Sequence, residues 1–73
     1  MAQIGKLVNM DEIELQYNYC LQSVKKIVEL KAKNTLDEND IMDMESNVDY
    51  LQQMLEKDFW TTQDLQPLRD AIA

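Results

Sequence analysis

Histidine is absent from this chain of 73 residues, and cysteine, glycine, proline, tryptophan and phenylalanine occur once each. A single cysteine excludes an internal disulfide framework. With no histidine beside it, it also excludes the ordinary zinc and haem ligand sets. No apolar run approaches the roughly 18 residues of a membrane-spanning helix. Met1-Ala2-Gln3 opens without the basic and apolar regions of a secretory leader. A cytoplasmic protein without a membrane segment is the expectation. Positive charge is scarce too: seven Lys and Arg stand against fourteen Asp and Glu, a net charge of −7. Direct binding to nucleic acid is therefore not expected.

With 45% hydrophobic residues the chain is too apolar for charge-driven disorder. It is short enough for one domain at most, and a fold of this mass buries only about 60% of its unfolded surface. Chains this small gain stability from disulfides, metals or self-association. The first two are excluded, so self-association is expected, most simply as a homodimer.

The only glycine, Gly5, and the only proline, Pro67, lie near the two ends. Residues 1–8 form a short N-terminal segment with Ile4, Leu7 and Val8. Helix 1 is expected within residues 9–34, from about Met10 to Lys33. Asn9 stands as N-cap and Glu12 completes a capping box. Acids crowd its first turn and lysines its last turns, both favourable to the helix dipole. Met10, Ile13, Tyr17, Cys20, Val24 and Ile27 recur at three- and four-residue steps, widened by Leu21 and Val28.

The sequence breaks at Asn34, a candidate for the left-handed residue that closes a helix. Thr35 and Glu38 then read as a second capping box. Helix 2 is expected within residues 35–60, with the stripe Ile41, Met44, Val48, Leu51, Leu55 and Phe59. So short a connection sets the helices antiparallel. It aligns Ile27 with Met44, Val24 with Val48, Cys20 with Leu51 and Tyr17 with Leu55. In the tail, residues 61–73, Leu65, Leu68 and Ile72 have helical spacing, Asp64 is a suitable N-cap, and Pro67 falls in the first turn. This third helix either docks on the hairpin's open end or reaches a neighbour. The expected fold is all-α: an antiparallel helical hairpin with a short C-terminal helix, dimerising into a four-helix bundle.

A second apolar set lies off the seam: Leu15, Tyr19 and Leu30 on helix 1, Met42, Tyr50 and Met54 on helix 2. At 100° per residue these point more than 100° from the helix 1 core direction, or correspondingly away on helix 2. Scattered surface hydrophobes are ordinary, but a chain short of burial has a use for them. They are candidate interface residues, together with Trp60. Tyr17, Tyr19, Phe59 and Trp60 gather at the open end, where aromatics either anchor a partner or close the core.

Chemistry finds little purchase here. Asp37-Glu38-Asn39-Asp40 fails as a calcium loop, because Met42 and Val48 stand where Gly and Glu are needed. Cys20 lies in the core stripe with nothing beside it to lower its pKa. Ser23, Thr61 and Thr62 lack an activating base, and no Gly-rich phosphate loop occurs. No catalytic, cofactor or metal residue is assigned, and an enzyme is not expected. Charge is uneven: residues 9–34 balance four acids with four lysines, whereas residues 35–60 carry eight acids and Lys57 alone. The leading expectation is a non-enzymatic protein–protein interaction module, an adaptor, regulator or assembly factor, binding itself and another protein. The alternative is an acidic antagonist that imitates nucleic acid toward a DNA- or RNA-binding protein.

Overall fold

The computed structural model describes residues 10–73 and is all-helical, with no strand among them: α1 (Met10–Lys31), α2 (Glu38–Leu55) and α3 (Gln66–Ile72). The N-terminal segment and the Asn9 cap lie outside the described residues. Within α1, Ile13, Cys20 and Ile27 are buried at seven-residue intervals, two helical turns apart. They face α2, which runs back antiparallel. Tyr50 interacts with Cys20 across the pair, one residue from the Leu51 that the stripes align with it. Lys26 and Asp43, 3.3 Å apart, flank the expected Ile27–Met44 layer in the same way.

The connection departs from expectation at both of its ends. No described residue has a positive φ, so Asn34 is not a left-handed cap. Instead α1 closes through tightened bonds, Ala32 N–H to the Glu29 carbonyl at 3.2 Å and Lys33 N–H to that of Leu30 at 3.1 Å. Nor does Thr35 cap α2. Asp37 does so, its Oδ1 accepting from the Asp40 N–H at 2.8 Å while Asp40 Oδ2 accepts from the Asp37 N–H at 3.2 Å. Asp40 also holds Lys33 at 2.7 Å.

α2 stops at Leu55, four residues before Phe59. The Met54 carbonyl accepts from the Trp60 indole N–H at 2.8 Å and from the Lys57 N–H at 3.1 Å, so the returning chain satisfies an exposed helix end. Trp60 packs edge-on against Phe59 and Tyr17, with ring centroids 4.8 and 6.2 Å away. These aromatics close the open end of the core.

The tail then docks along the hairpin in cis. The N-cap of α3 is Leu65, without a side-chain cap bond, and not the expected Asp64, whose Oδ1 instead accepts from the Gln66 N–H two residues on, at 3.0 Å; Pro67 sits in the first turn. Tyr17 donates to the Asp64 carbonyl at 2.6 Å, and Lys31 Nζ donates to that of Ala71 at 3.0 Å. Ascending numbers on α1 meet ascending numbers on α3, so the two run parallel. Leu68 and Ala71 enter one core with Cys20, Ile27, Leu51 and Met54.

This third helix changes which residues are inside. Met54, expected on the outer face of α2, is buried at 7% exposure, and so is Leu30 at 3%. Ile41, expected in the seam, is 45% exposed, and Val28 is exposed as well. A helix with one neighbour buries a narrow stripe, whereas these helices each have two and bury a wider, rotated arc. α3 is only seven residues long, about 10 Å of rise, and it reaches Lys31 at the end of α1, yet Ile41 stays open to solvent.

Candidate functional site

Two depressions mark the surface. The larger, about 600 Å³, runs between α1 and α2 and is walled by Tyr19, Ser23 and Lys26 on one side and Asp43, Asn47 and Tyr50 on the other. It lies away from α3: Tyr19 and Lys26 each stand two residues, 200° of helix, beyond Tyr17 and Val24, which adjoin the tail. The smaller, about 260 Å³, is a mostly apolar seam between α1 and α3, lined by Val24, Ile27, Val28, Lys31, Pro67, Asp70 and Ala71.

The polar groups of the groove hold one another. Asp43 takes the Lys26 ion pair, while Asn47 Nδ2 donates to its carbonyl at 2.8 Å and to its Oδ1 at 3.2 Å. Ser23 and Ser46 line the same space, and the carboxylate that lines it with them, Asp43, is engaged with Lys26 and Asn47. Inside the core, burial pushes the Cys20 thiol up from its ordinary value, opposed by the smaller effect of the Tyr50 hydroxyl. Burial raises Tyr50 too, with Cys20 adding to the shift. A thiol held protonated is a poor nucleophile. Among the described residues no group of three or more acids and cysteines is placed to hold a metal ion, and no helix is long and apolar enough to cross a membrane. What the arrangement offers is contact: two tyrosines, a polar floor and an open shape.

The candidate interface residues separate into three groups. Leu30 and Met54 are inside the fold. Leu15 at 48%, Tyr19 at 45% and Met42 at 65% exposure remain outside. Tyr50 and Trp60 are half-buried, each with its polar tip engaged within the chain. Tyr19 and Tyr50 meet across the groove, a juxtaposition that their membership of one off-seam set anticipates. The polar wall residues Gln22, Ser46 and Asn47 carry no sequence signal that separates them from any solvated helix face.

No protein-family model matches the chain, no curated protein is detectably similar to it in sequence, and no solved structure is detectably similar to it in fold.

Proposed function

We propose that this chain is a non-enzymatic protein–protein interaction module of the cytoplasm, an adaptor, regulator or assembly factor that binds itself and another protein. The observation that carries the reading is the partition of the second apolar set. α3 joins Met54 in the core, yet Leu15, Tyr19 and Met42 stay exposed on helices that the tail leaves uncovered. Leu15 and Tyr19 stand one turn apart beside a groove containing a second tyrosine, and aromatic anchors next to a depression suit a protein partner.

A second reading, the acidic antagonist, draws on Glu38, Glu45, Asp49, Glu56 and Asp58, all exposed along and just beyond α2. One comparison separates the two. Proteins that co-purify with the tagged chain are challenged with Leu15→Ala/Tyr19→Ala and with Glu45→Gln/Asp49→Asn/Glu56→Gln/Asp58→Asn. Asp40 and Asp43 are left intact because each holds an ion pair within the fold. An interaction module loses partner binding with the first variant and keeps it, within a few-fold, with the second. Its binding also tolerates salt. Loss of binding on neutralisation, with a steep fall as salt rises, would replace this reading with the antagonist.

A further inference from the structure

The side of α1 that borders the groove shared with α2 carries a stripe of its own. Glu12, Leu15, Tyr19, Gln22 and Lys26 follow one another at alternating three- and four-residue steps, the seam spacing of a coiled coil. None of them is buried, and Leu15 and Tyr19 are its apolar centre. Its two charged ends have opposite sign and lie seven residues either side of Tyr19.

A stripe with that symmetry is complementary to itself in one direction only. Turned antiparallel about Tyr19, two copies set Glu12 of each against Lys26 of the other, Leu15 beside Gln22, and Tyr19 against Tyr19. Arranged parallel, they set Glu12 beside Glu12 and Lys26 beside Lys26, and like charges exclude that partner geometry. Lys26 is half-exposed and 3.3 Å from Asp43; an ammonium has three donors, so a second carboxylate can join the pair. The charge distribution selects the helix as well as its direction. Residues 9–34 are neutral in sum, while residues 35–60 hold a net −7. Contact centred on α1 brings less like charge together than contact centred on α2, since the α2 acid lining the shared groove, Asp43, is already paired with Lys26.

We infer that two copies of this chain associate through α1, antiparallel, about a two-fold axis at Tyr19. The inference rests on the proposed self-association and specifies its geometry; an isologous contact of this kind is the commonest closed arrangement.

The test uses the full chain. In analytical ultracentrifugation Glu12→Lys and Lys26→Glu should each weaken the dimer by about tenfold, as expected for reversing a facing charge. The double variant E12K/K26E recreates every facing pair with signs exchanged and should return to within a few-fold of the original. It cannot restore the Lys26–Asp43 pair inside the chain, so recovery reports the intermolecular contact. In parallel, Tyr19→Cys should oxidise to a disulfide-linked dimer, since a residue on a two-fold axis meets itself, while Gln52→Cys on the far side of α2 should not. A dimer that shows neither rescue nor the Tyr19 cross-link overturns this geometry and leaves self-association standing. A chain that stays monomeric at every concentration overturns both.

Discussion

Cys20 is the residue on which a catalytic reading of this chain would have to depend, and its surroundings are those of a core side chain. It is fully buried and shares one cluster with Ile27, Leu51 and Leu68. The Tyr50 hydroxyl of α2 lies close enough to act on its thiol. Burial raises the thiol, which keeps the reactive thiolate scarce near neutral pH. Replacement by Ala removes only a small side chain and is expected to cost about 1–2 kcal/mol. Tyr50→Phe removes the hydroxyl beside the thiol and should cost no more than about 1 kcal/mol. Both follow from urea titration. Thiol-reagent kinetics on the native protein provide the independent check, and the rate should track the unfolded fraction. Rapid labelling of the folded state would contradict the assignment. The sequence indicates this role directly, because Cys20 falls on the seven-residue line with Ile13 and Ile27. Nothing in that periodicity indicates Tyr50 as its partner, since Tyr50 reads as an outer-face residue until a second neighbour widens the arc.

At the scale of the elements, three helices and their order follow from spacing, and the errors fall where two local signals compete. Thr35 and Glu38 form one possible capping box, Asp37 and Asp40 another, two residues later. Each offers the same reciprocal pair of bonds, so propensity does not decide between them. The structure takes the later one, in which Asp40 satisfies the Asp37 N–H and Lys33 together. Asp37→Ala should therefore cost about 1 kcal/mol, while Thr35→Ala should stay within about 0.5 kcal/mol. Equal costs would return the cap to Thr35. The ion pair adds a pH signature. The hydrogen bond from Lys33, with the backbone bond from Asp37 behind it, lowers the Asp40 carboxyl. The hydrogen bond to Asp40 raises Lys33 in return. A lowered acid contributes stability above its ordinary value, near 3.8, and loses it as pH falls through the folded value. A raised lysine contributes below its ordinary value, near 10.5, and loses it as pH climbs past the folded one. The stability difference between the native chain and Lys33→Met should thus form a plateau at neutral pH and close toward strong acid. Both groups are solvent-exposed, so that plateau is small.

For the whole molecule, the tail decides which residues are inside. Spacing alone leaves α3 two destinations, its own hairpin or a neighbour, because an amphipathic seven-residue helix fits either. The structure joins Leu68 and Ala71 to the core residues of both long helices, and it anchors the segment at each end through Tyr17 and Lys31. The lysine is well chosen: a cation at the carboxyl end of a helix meets an unpaired carbonyl and the negative end of the dipole together. A core completed within one chain predicts a specific response to its disruption. Leu68→Ala removes a fully buried side chain and should cost roughly 2–5 kcal/mol. Against the roughly 4–11 kcal/mol expected of a chain this length, that is enough to unfold much of the population near 37 °C. Arg69→Ala, on the exposed side of the same helix, should change stability by less than about 0.5 kcal/mol. Because the Leu68 contacts are intramolecular, the penalty measured by denaturant titration should not vary with protein concentration, even if the native chain melts at higher temperature when concentrated. A tail seated on a neighbouring copy would behave differently. Its deletion of contacts would appear chiefly as lost association, and the penalty would grow with concentration as the native dimer gained stability that the variant could not follow. Thermal and urea unfolding of both variants over a hundredfold range of concentration distinguishes these cases, and a concentration-dependent penalty at Leu68 would move α3 out of its own hairpin.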